Sequence, residues 1–409
     1  MTRIAILGYG TVGSGVIDTL TKNEKSIAER AGGPVVVKKI FDRRDFDGSP
    51  VQNLMTKNIA DILDDEEIHI VVEVMGGVEP AHTYAREAIL RGKSVITSNK
   101  ELVASHGAEL LSLARDKNVN FLFEASVCGG IPIIRPLNKS LTADEISEIT
   151  GILNGTTNYI LTKMDKEGID FSEALSYAQE CGYAEKDPTN DVDGFDSARK
   201  TAILLSLATG QQVDYKSIHT EGIRSVTERH IKYAGEIGGK IKPVSCAHIM
   251  EDKVYAYVAP AIVKNGHPIS IASGVHNAVY IRGNVMGELM FYGLGAGKMP
   301  TASSVVADII DAARHEYLHI MHMWSKEQKG LTPWNREFVV NLHVCAYNDY
   351  NRAKEFVKSL FPEAHVFSLD GESDFAFLAH GLAKELSREE LENGSLKEWI
   401  SFSVIDENE

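Results

Sequence analysis

A chain of 409 residues is too long for one ordinary domain and predicts two or three. Its 57 acidic residues against 42 basic ones leave a net charge of −15, which argues against a nucleic-acid or anionic-membrane partner. Four scattered cysteines without a C-x-x-C pair, no cleavable leader and no apolar run of about 18 residues together predict a soluble protein of the reducing cytoplasm.

Residues 3–7 (Arg-Ile-Ala-Ile-Leu) read as a buried parallel strand. Gly8-x-Gly10-x-x-Gly13 follows directly, then Val16, Ile17 and Leu20 at helical spacing. This order of strand, glycine turn and helix is the dinucleotide fingerprint. Gly8 permits the turn, Gly10 admits a pyrophosphate to the backbone N–H groups, and Gly13 lets helix and strand close up. A second strand at 35–41 ends in Asp42-Arg43-Arg44. An acid at that end would bond the ribose of NAD, and arginines would hold the extra phosphate of NADP. The two arginines tilt the expectation to NADP, with Arg43 or Arg44 as the contact; the alternative is a solvated charged loop.

Strands at 68–74, 94–97 and 118–123 alternate with helices, so a doubly wound parallel sheet is expected. Lys100 starts a helix at one strand's carboxyl end, where ligands of such sheets bind. The exit from the last strand, Glu124 to Pro132, offers a carboxylate, two glycines and free carbonyls that suit a hard cation. Cys128 lies in it, a candidate thiol nucleophile or simply a small buried residue. Residues 150–158 read as a strand and then Asn154-Gly155-Thr156-Thr157-Asn158 at a helix start, able to hold a small carboxylate or merely to cap the helix.

The loop 182–196 gathers five carboxylates and then opens a helix whose next residues are apolar. Asp196 and Lys200 are spaced i, i+4 and share a helix face, with Glu185 upstream. On a surface such a pair is worth tenths of a kcal/mol. Beside a core, carboxylates can bind an ammonium and a desolvated lysine can donate a proton. Asp187, Asp191 and Asp193 are expected to shape the loop. Alternation around 240–256 and 275–291 predicts a mixed sheet covered on one face by helices or a second subunit.

Together these residues resemble the monofunctional homoserine dehydrogenases over roughly residues 1–325. The specific elements are Gly182-Tyr183-Ala184-Glu185 through Lys200, Thr97-Ser98-Asn99-Lys100, Glu124-Ala125-Ser126-Val127 with Gly130-Ile131-Pro132, Asn154 to Asn158, and Tyr292-Gly293-Leu294-Gly295-Ala296-Gly297. The resemblance implies NAD(P)-dependent interconversion of aspartate 4-semialdehyde and L-homoserine, a step toward threonine, methionine and isoleucine. It implies that Lys200 is the proton donor, assisted by Lys100, and that Glu185 and Asp196 bind the substrate amino group; Thr156, at its helix start, is a further expected substrate-binding residue. Thr11, Val12, Lys100, Gly182 and Gly297 would touch the dinucleotide, besides Gly8, Gly10, Gly13 and Arg43. Glu124 and the carbonyls of Val127, Gly129 and Ile131 would hold a sodium-type cation. A neighbouring lysine is expected to lower the donor's pKa.

The expected architecture is α/β: a Rossmann-type nucleotide domain over 1–130 and about 292–328, an α+β catalytic and dimerisation domain over 131–291, and a C-terminal domain over 335–409. A homodimer or homotetramer acting on a small amino-acid substrate is expected. The C-terminal pattern β-α-β-β-α-β, with strands at 338–345, 364–369, 375–380 and 399–404, resembles the ACT domain. Asn348-Asp349-Tyr350-Asn351 lacks the glycine usual there, which leaves amino-acid feedback and a role in assembly both open. Two other readings compete: aspartate-semialdehyde dehydrogenase using Cys128, and a non-catalytic dinucleotide sensor. His315-Glu316-Tyr317-Leu318-His319 also spells H-E-x-x-H on an expected helix, with His322 beyond, but no third ligand follows at the required spacing, so an ordinary charged helix is expected.

Overall fold

The computed structural model describes residues 1–321, 324–381 and 386–406; His322 lies outside them. Six parallel strands form the first sheet: β1 (Thr2–Leu7), β2 (Val35–Phe41), β3 (Met55–Thr56), β4 (Ile70–Glu73), β5 (Ser94–Thr97) and β6 (Phe121–Leu122). Their order is β3-β2-β1-β4-β5-β6, the doubly wound arrangement, with a switch point between β1 and β4. Ile4, Ala5, Ile6 and Leu7 are all fully buried, which explains the unbroken apolar run of β1. The short β3 has no counterpart in the expected elements.

Helix Lys298–Arg314 packs back onto helix Thr11–Lys22. A Cβ added to Gly15 would lie 2.8 Å from the Lys298 carbonyl, so only glycine allows this approach. Val305 and Ile309 join the same apolar core as β1. The helix stops at Arg314, before the H-E-x-x-H run, contrary to expectation. Asn120 Nδ2 donates to the His315 carbonyl at 3.1 Å, Asn118 bonds the Tyr317 carbonyl, and Tyr317 adopts φ +59°, which no helix continues.

The second sheet carries β7 (Ile146–Ile152), β9 (His219–Thr220), β10 (Gly239–Ile249), β11 (Val254–Lys264), β12 (His276–Gly283) and β13 (Gly287–Leu294); β8 (Gln211–Gln212) pairs separately with β14 (Ser325–Gln328). The two expected alternating stretches resolve into the antiparallel hairpins β10–β11 and β12–β13. The C-terminal strands are β15 (Val340–Tyr347), β16 (Asp374–His380) and β17 (Leu396–Ile405). The strand expected at 364–369 is reduced to one bridge, Phe367 to Ala376. With that bridge the order runs β17-β15-β16-Phe367, the 4-1-3-2 sequence of a βαββαβ unit. β17 also pairs in parallel with β11, Ile262 against Val404 and Val263 against Ile405, so one sheet runs through both units as β13-β12-β7-β10-β11-β17-β15-β16.

Candidate functional site

Helix Phe195–Thr209 delivers the two central charges. Gly194 precedes it at φ +87°, where an added Cβ would meet Thr220 Cγ2 at 2.8 Å, so the acid-rich loop must turn on glycine there. The helix buries Ala198, Ala202, Ile203, Leu204 and Leu205, and that packing carries Asp196 and Lys200 out of solvent. Asp196 is 2% and Lys200 9% exposed.

Lys200 Nζ lies 2.7 Å from Asp196 Oδ2 and donates to the Leu153 carbonyl at 2.8 Å. Lys100 Nζ lies 2.6 Å from the other oxygen, Asp196 Oδ1. One buried carboxylate therefore separates two ammonium groups. Burial alone would push the Asp196 carboxyl up; the lysines reverse this and hold it well below the usual carboxylate range. For Lys200, burial pulls down and Asp196 pulls up, and the net pKa is raised. The expected lowering by Lys100 is thus overturned, because Asp196 stands between the two lysines.

Lys100 is the first residue of helix Lys100–Asp116, an unfavourable place for a cation. A chain of bonds holds it there. Asn99 Oδ1 accepts from the N–H groups of Glu101 and Leu102, both at 3.1 Å. Thr97 Oγ1 accepts from Asn99 N at 2.9 Å and donates to Glu73 Oε2 at 2.6 Å. Glu73 is fully buried, and burial raises its pKa.

Asn154 closes the cluster from the opposite side. Its Oδ1 accepts from Thr157 N, capping helix Gly155–Glu167, while Nδ2 donates to Asp196 Oδ2 at 2.9 Å and to Asp191 Oδ1 at 2.7 Å. Burial and the Asp196 charge raise the Asp191 pKa. Asp191 is therefore not merely a loop-shaping residue; it shares a donor with the central carboxylate. The Thr156 hydroxyl donates to the Tyr183 carbonyl at 2.6 Å and so ties this helix to the acid-rich loop. Glu185 stands exposed on that loop, and its side chain has no polar partner among the described residues.

The glycine turn has the expected form. Gly8 adopts φ +101°, and a Cβ on Gly13 would lie 2.0 Å from the Gly8 carbonyl oxygen. Helix Thr11–Lys22 starts at Gly10 without a side-chain cap; Thr11 is exposed and Val12 half-buried at that end. Beside it opens a cleft of about 350 Å³ lined by Gly8, Gly10, Asp42, Arg43, Arg44 and Met75 among others. The Asp42 carboxylate is committed within the chain: Oδ2 accepts from Tyr9 N at 2.8 Å and from Arg44 Nη2 at 2.8 Å, and Oδ1 from Arg44 Nε at 3.0 Å. These bonds, led by those of Arg44, hold its pKa well below the usual range. Arg43 is exposed and unpaired among the described residues. Gly182 and Gly297 lie on exposed turns at φ +72° and +116°, Gly297 at the start of helix Lys298–Arg314.

The Glu124 carboxylate is engaged by backbone donors. Oε1 accepts from the N–H groups of Ile133 at 2.6 Å and Ile134 at 2.9 Å, and Oε2 from Arg135 N at 2.7 Å. The Gly129 carbonyl accepts from Ser304 Oγ at 2.6 Å. Val127 and Ile131 are buried in the same turn. Cys128 is fully buried, with Asn277 Nδ2 at 3.5 Å from its sulfur. Burial pushes its thiol up, against a thiolate nucleophile.

Sequence reasoning missed Asp191, Asn154 as its bridge, and the Leu153 carbonyl. The first two stood inside motifs already marked; the third has no sequence signal, since every residue carries a carbonyl.

Two family models match: homoserine dehydrogenase over residues 132–310, and homoserine dehydrogenase, NAD binding domain, over residues 8–124. The homoserine dehydrogenase of Bacillus subtilis (strain 168) is 40% identical over 323 residues, covering 78% of this chain and 74% of its own. Among solved structures, a homoserine dehydrogenase from Thiobacillus denitrificans superposes with TM-score 0.87 at 32% identity, covering 99% of this chain and 98% of that one. A hyperthermophilic archaeal homoserine dehydrogenase mutant in complex with NADPH superposes with TM-score 0.65 at 30% identity, covering 76% of this chain and 97% of that one.

Proposed function

The chain belongs to the homoserine dehydrogenase family of oxidoreductases, and from that premise we propose how its residues divide the reaction. The substrate pair is aspartate 4-semialdehyde and L-homoserine, on the route to threonine, methionine and isoleucine. The bound nicotinamide supplies or accepts the hydride. Lys200 is the proton donor to the aldehyde oxygen. The observation that carries this is its bonding: an ammonium has three donors, and Asp196 Oδ2 and the Leu153 carbonyl hold two of them. The third N–H is left for a substrate oxygen. As negative charge builds on that oxygen, a positioned ammonium stabilises it and hands over the proton. Asp196 fixes Lys200 and Lys100 in one geometry, and Lys100 adds a second positive charge at the strand end.

Glu185 and Asp196 supply the negative charge that binds the substrate ammonium. Asp196 is already bonded to both lysines, so Glu185 is the more open of the pair. The Thr156 hydroxyl borders the same loop. The dinucleotide lies along Gly8, Gly10, Thr11, Val12 and Gly13, with Lys100, Gly182 and Gly297 beyond. NADP is the preferred form, because Asp42 is engaged by Arg44 and Tyr9 N–H while Arg43 remains open to a phosphate. The C-terminal unit is ACT-like, and its sheet continuity through β17 favours a role in assembly. The fold favours a homodimer through the edge strand β13, where Tyr292 and Leu294 share one solvent-facing side.

Lys200→Ala tests the assignment. Turnover with aspartate 4-semialdehyde is expected to fall by about 100-fold or more, with the dissociation constant for NADPH nearly unchanged. Near-wild-type turnover would overturn it. In the wild type, homoserine-dependent reduction of NADP without phosphate separates this reading from the thiol-dependent and sensor alternatives.

A further inference from the structure

Away from the lysine–carboxylate cluster, the helices that follow β4 and β5 bring two imidazoles and a carboxylate together. His82 stands on helix Ala81–Leu90; His106 and Glu109 stand one turn apart on helix Lys100–Asp116. His82 Nε2 lies 3.2 Å and His106 Nδ1 3.5 Å from the same atom, Glu109 Oε2. All three residues are half-buried, and their donor atoms lie within 4.8 Å of one another. We propose that His82, His106 and Glu109 form a binding site for a divalent metal ion of the zinc class, which clips the two helices together.

The spacing is that of a metal site. Tetrahedral bonds of about 2.0–2.2 Å to nitrogen and oxygen put neighbouring donor atoms about 3.4 Å apart. The two edges through Glu109 Oε2, at 3.2 and 3.5 Å, bracket that length. An N₂O donor set suits borderline ions such as Zn²⁺, Co²⁺ or Ni²⁺, and not Mg²⁺ or Ca²⁺.

The charges point the same way. His82 has a carboxylate at each nitrogen: Glu79 Oε1 is 3.2 Å from Nδ1, and Glu109 Oε2 is 3.2 Å from Nε2. A neutral imidazole has one N–H, so one of these carboxylates faces a lone pair unless a proton or a metal ion fills the gap. Glu79 is itself held by Thr83 Oγ1 at 2.8 Å. A carboxylate on the far nitrogen is the usual partner of a metal-bound histidine; it fixes the tautomer and turns the other lone pair to the ion. Arg86 Nε lies 3.5 Å from Glu109 Oε1, which leaves Oε2 to the site.

One rearrangement is required. A metal ion lies close to the plane of each ring it binds, whereas the two rings are stacked, centroids 3.8 Å apart at 17°. One ring must turn about its Cβ–Cγ bond on loading. His106 is the freer: among the described residues its only polar contact is Glu109.

The full chain, stripped with a chelator, is titrated with ZnCl₂ by calorimetry at neutral pH, and separately with Co²⁺, whose visible absorption reports tetrahedral coordination. One ion per chain and a raised Tm are expected. His82→Gln and His106→Gln should each weaken binding more than about 10-fold, and Glu79→Gln about 10-fold, with homoserine oxidation unchanged in the His106 variant. Absence of saturable binding, or binding equally tight in both histidine variants, would overturn the proposal. Should a variant fail to fold by circular dichroism, the Co²⁺ spectrum of the wild type decides: no tetrahedral bands means no such site.

Discussion

At the scale of single residues, chemistry rests on how Asp196 divides its two oxygens. Oδ2 holds the buried Lys200 and Oδ1 the half-exposed Lys100, so two like charges share one carboxylate without expelling one another. Homoserine oxidation needs the reverse proton transfer, from the hydroxyl to an uncharged Lys200. Because the Lys200 pKa is raised above 10.5, oxidation in the wild type should keep climbing through the alkaline range. In Asp196→Asn the strongest influence that raises it is gone, while burial, which lowers it, remains. The midpoint of the pH profile should then move to lower pH and kcat should fall about 10-fold or more. A midpoint that stays put or rises would refute the role of Asp196. The pair Asp196–Lys200 was legible because i, i+4 spacing fixes a shared face before any tertiary contact forms. Lys100 was legible from its place at a strand end. Asp191 was not, because its importance comes through Asn154, 37 residues away in the chain.

At the scale of elements, the glycine turn shows how local sequence can dictate a long-range site. Gly13 is indispensable because its α-carbon faces the Gly8 carbonyl, with no room for a methyl group. In Gly13→Ala the start of helix Thr11–Lys22 must move away from β1. Overpacking of this kind costs about 1–3 kcal/mol, and the displaced N–H groups should bind NADPH more than about 10-fold more weakly. Urea denaturation and cofactor fluorescence read the two effects separately; a variant with wild-type values in both would show that the contact relaxes without cost. Strands β1, β2, β4 and β5 were readable as apolar runs bounded by turns. The two-residue β3 carries no periodicity to read. The H-E-x-x-H run kept a helical pattern in sequence but lost its helix to Asn118 and Asn120, which take carbonyls that a further turn would need. Such competition from another segment is invisible to local pattern.

At the scale of the whole molecule, the C-terminal unit is joined to the rest by backbone pairing. β17 lies between β11 and β15, and Val404 and Phe402 share an apolar cluster with Ile262 and Tyr233. The βαββαβ pattern was visible in sequence; the merging of two sheets was not, since strand pairing between distant segments leaves no mark on either one. Two buried histidines bear on this unit, one packed against β17 and one inside it. His230, on helix Glu228–Glu236, packs against Phe402 with ring centroids 5.1 Å apart, and His343, on β15, accepts from Trp399 Nε1 at 3.2 Å. Burial depresses both to about 4, from an ordinary value of 6.5. Between pH 6.5 and 4 the unfolded chain therefore takes up protons that the folded one refuses. The sign follows: stability is intact above pH 6.5, declines as pH falls toward 4, and loses no more from these groups below it. Each histidine accounts for about 3 kcal/mol across that window. Trp399 fluorescence during urea unfolding should thus show the C-terminal unit opening before the nucleotide domain at about pH 5, and together with it at neutral pH. His343→Gln should flatten the acid dependence by about half. If the C-terminal unit opened at the same urea concentration at both pH values, the junction would owe its stability to the β11–β17 pairing and apolar contacts alone, and the histidines would have no part in it.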